Sequence, residues 1–116
     1  MKIVTAYIRT NRAAQVVRAL HEAGVRGFTV YFVHGMSGEA KTFLYGPRPF
    51  EPSNLPDSVK IEVICEETLV DGIMMTIARA AKTGYPGDGI VAIQDMEKMV
   101  RIRDISVPAN ESGGGK

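Results

Sequence analysis

The pattern of apolar positions predicts a strand, a helix and a second strand at the start of the chain. Ile3 to Ile8 is β-prone, and the segment after Asn11 carries apolar residues at the spacing of one helical face: Ala13, Val16, Val17, Leu20 and Ala23. Asn11 is the predicted N-cap of this helix and Gly24 its predicted C-cap. Gly27 to Val33 is rich in β-branched and aromatic residues, which is typical of a strand covered on both faces.

The same order of elements recurs in the second half of the chain. We predict a strand at Val59 to Cys65, a helix at Glu67 to Lys82 that ends at Gly84, and a strand at Gly89 to Ile93. The apolar face of that helix consists of Val70, Ile73, Ile77 and Ala80. Two βαβ units packed together give the ferredoxin-like α+β fold, a four-stranded antiparallel sheet with both helices on one face. The other face is left bare, and we expect self-association to cover it.

A long connection separates the two units. His34 to Asp57 contains three glycines and four prolines, and a structureless segment of this length inside a compact domain is usually a binding loop. After the fourth strand we predict a short helical turn at Met96 to Met99 and an extra C-terminal strand at Val100 to Val107. Residues 110–116 are polar and glycine-rich and are predicted to form a disordered tail, so the ordered domain spans residues 1–109.

Composition narrows the classes of function. The 116 residues carry a net charge of +1 and are 45% hydrophobic, which is typical of one globular domain without a general attraction to nucleic acid or anionic membranes. Cys65 is the one cysteine, so an internal disulfide is excluded, and its place in an apolar strand favours a buried structural role. The chain shows no signal peptide and no apolar run of about 20 residues. We therefore expect a cytoplasmic protein.

Two segments have the chemistry of an anion site. Thr83 to Gly89 (TGYPGDG) follows the second helix, and its three glycines allow positive φ and let backbone N–H groups converge on a phosphate. Arg101 and Arg103 stand two apart on the predicted last strand, where two guanidinium groups on one face form a phosphate clamp. Each segment also has an ordinary interpretation, an αβ turn for the first and a charge-protected edge strand for the second.

Catalysis and metal binding have less support. The sequence shows neither a nucleophile elbow nor a carboxylate pair in an acid–base arrangement. His21 is predicted to face solvent, and His34 and Glu39 are weak candidate metal ligands because no metal-site spacing surrounds them. The glycine-rich phosphate loop of an acylphosphatase and the stacking aromatics of an RNA-recognition domain do not match either, so nucleic acid is not an expected partner.

Three stretches together point to a family. They are MKIVTAYIRTNRAAQVVRALHEAGVRGFTV, LPDSVKIEVICEETLVD and TGYPGDGIVAIQDMEKMVRIRD. The chain resembles the PII signal-transduction (nitrogen regulatory protein P-II) family, as a divergent member, over nearly all of the ordered chain except the central loop. The resemblance implies a non-enzymatic regulator that is a homotrimer, with ADP, AMP or ATP bound in the clefts between subunits. It also implies an effector loop, the T-loop at about residues 35–57, that docks on a transporter or a metabolic enzyme.

The resemblance also implies which residues line the clefts. Positions matching Gly87, Asp88, Gly89, Arg101 and Arg103 contact the phosphates, those matching Gly27, Phe28, Thr29 and Ile64 lie around the adenine, and those matching Gly35, Met36, Ser37 and Gly38 form the loop base beside the phosphates. Glu62 matches a further family position. Paired guanidinium groups and glycine N–H groups are donors suited to a polyphosphate, which agrees with this assignment.

Four positions depart from the nitrogen sensors of the family. Glu51 stands where those proteins carry the modified loop tyrosine, and Glu39 where a glutamine helps to hold magnesium and 2-oxoglutarate. Ser58 and Ile90 replace two lysines that contact phosphate. Each charge-assisted hydrogen bond lost costs about 1–3 kcal/mol. We therefore expect ADP or AMP to be preferred over ATP, a weak response to 2-oxoglutarate, and no control by tyrosine modification.

The sequence does not identify the process that the protein regulates. Divergent relatives serve carbon acquisition, with bicarbonate as a candidate second ligand, or transport, and docking on a transporter would bring the protein to a membrane. Whether magnesium takes part is also open. The alternative is a metal-binding trimer like the CutA-type relatives, with His34, Glu39 and Cys65 as candidate ligands.

Overall fold

The computed structural model describes residues 1–35 and 57–108. Residues 36–56 and 109–116 lie outside the described residues. Most of the predicted effector loop and the predicted tail are therefore not described, and neither are five of the residues named above: Met36, Ser37, Gly38, Glu39 and Glu51.

The described residues form two βαβ units in one sheet. The elements are β1 (Lys2–Arg9), α1 (Ala13–Glu22), β2 (Thr29–His34), β3 (Asp57–Cys65), α2 (Val70–Ala81) and β4 (Gly89–Asp95), with 3-10 turns at Thr10–Arg12, Glu67–Leu69 and Ile102–Asp104. The strand order is β2-β3-β1-β4, and every neighbouring pair is antiparallel. The predicted ferredoxin-like α+β fold is confirmed. Neither α1 nor α2 has the length and apolar composition of a membrane-spanning helix, and the described ranges contain no other α-helix.

The core lies between the two helices and one face of the sheet. Alternate residues of β1 and β3 meet across the ladder on this face, and the apolar faces of both helices pack on them, as predicted. The buried side chains are Val4, Ala6, Ile8, Val16, Leu20, Val59, Ile61, Val63, Cys65, Val70, Ile73, Ile77 and Ala81. Cys65 is a free thiol inside this core, and its burial raises its pKa. Both observations agree with its predicted structural role.

The opposite face of the sheet is open in the single chain. Tyr7, Tyr31 and Ile64 point to this face and are 39%, 42% and 43% exposed. The bare sheet face that the pattern predicts is therefore present. β2 is an edge strand with most of its side chains exposed, so the prediction of a strand covered on both faces is wrong for the single chain.

The two ends of α1 differ in how well the sequence predicts them. Gly24 has a φ of 87°, its N–H donates to the carbonyl of His21, and the N–H of Val25 donates to Leu20, which is the Schellman arrangement expected of a C-terminal glycine. Asn11, by contrast, is not the N-cap. It lies in the 3-10 turn Thr10–Arg12, which runs directly into the helix, and Arg12 occupies the cap position without a side-chain capping bond.

The predicted elements after β4 do not form. Met96–Met99 is not helical, and Val100–Val107 is not a strand but contains the 3-10 turn Ile102–Asp104. An alternating sequence becomes a strand only when a neighbouring strand supplies hydrogen-bond partners, and no described residue of this segment pairs with either sheet edge. As a result Ile102 is 88% exposed.

Candidate functional site

The turn between α2 and β4 is built on three glycines with positive φ. Gly84, Gly87 and Gly89 have φ values of 90°, 93° and 112°, as the phosphate-turn interpretation requires. Pro86 and Gly87 are the central residues of a turn, and positive φ at the second of them is typical of a type II turn. A Cβ at Gly89 would lie 1.8 Å from the carbonyl oxygen of Tyr7. The turn and β1 therefore approach each other at backbone distance, which only glycine permits here.

Asp88 holds this turn together from within. Its Oδ2 accepts the N–H groups of Thr83, at 2.9 Å, and Gly84, at 3.2 Å, and its Oδ1 accepts the hydroxyl of Thr83 and Nε of Arg9, the latter at 3.2 Å. These donors, the Thr83 hydroxyl above all, lower the pKa of Asp88 well below its ordinary value. A carboxylate offers about four acceptor positions, so this side chain is fully engaged. It is not free to ligate magnesium, and it shapes the turn instead of offering donors to a phosphate.

Arg9 is a residue of this site that the sequence analysis missed. It ends β1, and its Nη2 donates to the carbonyl oxygen of Pro86 while its Nε donates to Asp88. The signal in the sequence was weak, because Arg9 and Asp88 are 79 positions apart. Only the pairing of Ile8 with Gly89 in the sheet shows that they meet.

The base of the predicted effector loop lies at the same end of the sheet. Gly35 follows β2, and a Cβ there would lie 3.2 Å from Oγ of Ser58, which pairs with Arg9 in the ladder. Beside them Nδ1 of His34 lies 3.2 Å from Oδ1 of Asp57. One part of the implied nucleotide set therefore lies at this end of the sheet, with Gly35 at the β2 edge and Gly87, Asp88 and Gly89 at the β4 edge.

A second part of the set lies around a cavity of about 560 Å³. Gly27, Ile64 and Arg101 line this cavity, together with apolar side chains that include Leu69 and Ile73. Its volume is in the range of small-molecule sites. Arg101 approaches it from the segment after β4, so this arginine has a place near other predicted residues even though its strand does not exist.

The cavity and the glycine turn are at opposite ends of the sheet. Ile64 pairs with Ile3, whereas Gly89 pairs with Ile8. Five residues of strand separate these positions, which is ~17 Å at the rise of a β-strand. Within the described residues of one chain, the predicted nucleotide residues therefore lie in two separate groups and not around one closed pocket.

The remaining predicted residues do not join either group. Arg103 lies in the 3-10 turn with its side chain 83% exposed. The strand that was predicted to place Arg101 and Arg103 on one face is therefore wrong, and their contact with phosphate stays a prediction. Phe28 packs against the core and Thr29 begins β2 opposite Glu62. A core contact fixes the Phe28 ring and leaves its backbone as the part available to a ligand.

Glu62 belongs to a different cluster on the open sheet face. It accepts a hydrogen bond from the Tyr31 hydroxyl at 3.0 Å and pairs with Nζ of Lys60 at 3.2 Å. The Lys60 ammonium lies 5.1 Å and 5.9 Å from the ring centroids of Tyr31 and Tyr7. The contact with Glu62 raises the pKa of both Tyr31 and Lys60. These interactions place Glu62 in a polar network in the middle of the open face.

The two candidate metal ligands within the described ranges, His34 and Cys65, are far apart, and Glu39 lies outside those ranges. His34 pairs with Asp57 in the sheet, and Cys65 stands eight positions further along β3, which is ~27 Å in a strand. Within the described parts of the chain no group of three or more histidine, cysteine or acidic side chains has a geometry that would hold a metal ion. His34 and Cys65 of one chain cannot share an ion. His21 is exposed, as predicted.

The sequence matches a known family model over almost all of its length. The model is described as Nitrogen regulatory protein P-II and covers residues 1–105. The chain belongs to the P-II family. A P-II protein of Azospirillum brasilense is 37% identical over 115 residues, covering 98% of this chain and 97% of the relative. P-II proteins of Mesorhizobium japonicum and Escherichia coli are 38% and 36% identical over 104 residues, covering 89% of this chain and 92% of each relative.

Membership of the P-II family defines the broad class of function. Proteins of this family are signal-transduction regulators and not enzymes, and they are typically trimers that bind adenine nucleotides and act on transporters or enzymes. The chain is thus a P-II family signalling protein. Within the described ranges, the glycine turn held by Asp88 and the cavity beside Arg101 are where predicted nucleotide residues lie.

Proposed function

We propose that this P-II family protein senses adenine nucleotides at clefts between the subunits of a homotrimer. The observation that carries the proposal is the glycine turn, which Asp88 and Arg9 hold in shape. The turn lies at the β4 edge of the same end of the sheet at which Gly35 begins the loop on the β2 edge. A ligand that extends from the turn across this end of the sheet would reach the segment that we expect to contact a partner. Binding that favours one conformation of the loop is sufficient to couple nucleotide to partner.

A cleft between subunits also explains why the implied residues separate into two groups. The interfaces of a cyclic trimer are heterologous, so one surface of a subunit is placed against a different surface of its neighbour. Such packing brings Arg101 and the cavity of one copy to the glycine turn of the next. The open sheet face, with Tyr7, Tyr31 and Ile64 partly exposed, supplies the apolar surface for this association.

The charge at the glycine turn favours nucleotides with fewer phosphates. Ile90 follows the turn with its side chain 63% exposed, and Ser58 lies at the loop base, so neither position supplies a cation. Arg9 is committed to Asp88 and Pro86. We therefore propose that ADP or AMP binds more tightly than ATP, and that 2-oxoglutarate has little effect.

We propose that the protein acts in the cytoplasm on a transporter or a metabolic enzyme through the loop at about residues 35–57, and reaches a membrane through such a partner. The departures at Glu39, Glu51, Ser58 and Ile90 favour a role outside nitrogen control, and we propose carbon metabolism, with bicarbonate as a second ligand, as a candidate to be tested beside other transport. No observation in the described residues favours the alternative of a CutA-like metal-binding trimer.

A thermal-shift series tests the nucleotide proposal. ADP, AMP, ATP, cyclic AMP, bicarbonate, 2-oxoglutarate and divalent metals are each added to the full chain and to Arg101→Ala, with Arg18→Ala, an exposed arginine of α1, as the charge-matched control. We expect ADP and AMP to raise the melting temperature of the natural chain and the control, and to have little effect on Arg101→Ala. The proposal fails if no adenine nucleotide stabilises the natural chain, or if Arg101→Ala responds equally.

A further inference from the structure

The guanidinium group of Arg9 joins the end of β1 to the turn between α2 and β4. Two of its nitrogen atoms are used, Nε on the Asp88 carboxylate at 3.2 Å and Nη2 on the carbonyl oxygen of Pro86. A Cβ at Gly87 would lie 3.2 Å from the same Nη2. The side chain therefore lies directly against the backbone of the glycine turn.

The contacts of Asp88 extend this connection to the other end of the turn. Its second carboxylate oxygen accepts the N–H groups of Thr83 and Gly84, so a continuous series of hydrogen bonds runs from Arg9 through Asp88 to the first residues of the turn. The side chains of Arg9 and Asp88 are 35% and 25% exposed. Solvent therefore screens this pair less than an ion pair on the open surface.

Both contacts of Arg9 depend on the shape of its side chain. A guanidinium is a planar fork that donates in two fixed directions, whereas a lysine ammonium is a point charge on a flexible stem. A lysine at this position keeps the positive charge but does not bridge a carboxylate and a carbonyl in the same way. The Arg9→Lys substitution therefore separates the effect of the guanidinium shape from the effect of the positive charge.

We propose that Arg9 is a positioning residue for phosphate binding, which fixes the glycine turn through Asp88 and the Pro86 carbonyl by its forked geometry and not by its charge. This inference rests on the proposed nucleotide function. The turn is then held in its binding conformation before the nucleotide arrives, which removes an ordering cost from binding. Arg9 acts on the ligand through the backbone of the turn.

Calorimetric titration with ADP tests this proposal on four full-length variants: Arg9→Ala, Arg9→Lys, Asp88→Asn and the double variant Arg9→Ala with Asp88→Asn. We expect each single variant to bind ADP about tenfold more weakly, including Arg9→Lys despite its retained charge. The double variant should be no more than about twofold weaker than the worse single variant, because both side chains act through one turn. Arg18→Ala controls for the loss of a positive charge.

Two results would overturn the role of Arg9. Natural affinity in Arg9→Lys would show that charge alone is sufficient, and losses that multiply in the double variant would show that Arg9 acts on the ligand independently of Asp88. The amide signals of Thr83 and Gly84, followed by NMR and hydrogen exchange in the ligand-free protein, give a second readout. We expect faster exchange at both amides in Arg9→Ala and Arg9→Lys, but not in Arg18→Ala.

The two readouts separate this proposal from the nucleotide function. If the natural chain binds no ADP while the two amides respond to Arg9→Ala, the nucleotide function is wrong and Arg9 merely stabilises a turn, which also overturns its role in phosphate binding. If the natural chain binds ADP but Arg9→Ala changes neither affinity nor exchange, the nucleotide function stands and only the positioning role is wrong.

Discussion

The carboxylate of Asp88 accepts four hydrogen bonds in the folded chain, and this makes its contribution to stability depend on pH. The donors lower its folded-state pKa, whereas in the unfolded chain it titrates near the ordinary aspartate value of ~4. Its stabilising effect is therefore complete above that value. Below it, the unfolded chain takes up a proton that the folded chain does not, and the effect is lost as the pH falls toward the depressed folded-state pKa.

Asp88→Asn tests this dependence. We expect the natural chain to melt at a higher temperature than the variant by a constant margin from pH 7 to pH 5, and the margin to shrink below about pH 4. Circular dichroism melts across that range, at one protein concentration, provide the measurement. A margin that persists unchanged at the lowest pH, or an equally stable variant at pH 7, would show that the four hydrogen bonds do not stabilise the ionised form.

The glycines of the turn were easier to predict from the sequence than the side chains that hold the turn in shape. A run of closely spaced glycines after a helix has a local meaning, because positive φ is a property of the residue itself. The roles of Arg9 and Asp88 depend on contacts between distant positions, and these follow only from the strand register. Sequence reasoning therefore found the shape of the turn and missed what holds it.

A second arginine, Arg12, joins the start of α1 to the C-terminal end of α2. Nε and Nη2 of Arg12 both donate to the carbonyl oxygen of Ala80, at 3.0 Å and 2.7 Å, near the C-terminal end of α2. Unpaired carbonyls at the end of a helix need such partners, and a cation there also complements the helix dipole. This partly buried contact fixes where α2 ends and the glycine turn begins.

Removing the contact between Arg12 and Ala80 should destabilise the packing of α1 against α2. We expect Arg12→Ala to lower the free energy of unfolding by about 1–2 kcal/mol, because a partly buried carbonyl loses a charged donor. Arg18→Ala, on the exposed side of α1, should change it by less than about 0.5 kcal/mol. Urea unfolding of both variants at equal protein concentration measures the difference. Equal stability of the two variants would mean that the Ala80 carbonyl is satisfied by water after the mutation.

The order of elements was predictable where the apolar period was sustained. Both helices and all four strands of the sheet lie where the pattern predicts, with boundaries shifted by a few residues. The strand predicted at Val100–Val107 does not form, because an alternating sequence becomes a half-buried strand only where a sheet edge offers hydrogen-bond partners. The prediction of Asn11 as the N-cap is wrong because the 3-10 turn before α1 continues without interruption into the helix. Neither outcome is encoded in the local pattern.

The whole molecule is expected to cover its open sheet face with other copies. Ala92 is exposed on this face opposite Thr5 in the ladder, whereas Ala14 is exposed on α1. A glutamate at position 92 would place a charge inside the interface. We expect Ala92→Glu to convert a trimer into smaller species in analytical ultracentrifugation, and Ala14→Glu to stay trimeric. A trimeric Ala92→Glu would show that the open face does not form the interface, and a monomeric natural chain would overturn the assembly itself.

The nucleotide proposal requires that two neighbouring chains of the trimer both contribute residues to each binding site. Arg101 beside the cavity and the glycine turn of the same chain are at opposite ends of the sheet. Family membership supplies the expectation of a trimer, and the separation of the two groups supplies the reason why a single chain is insufficient. The most direct test is whether two variants that each bind ADP weakly regain ADP affinity when they form mixed trimers.

The decisive measurement is ADP titration of trimers refolded from an equal mixture of Arg101→Ala and Asp88→Asn chains. Each variant alone should bind ADP weakly. In mixed trimers about a quarter of the clefts combine an intact turn from one chain with an intact Arg101 from its neighbour, and we expect that fraction to regain natural affinity. A mixture that binds no better than its two components would show that the site does not lie between subunits, and would contradict the account.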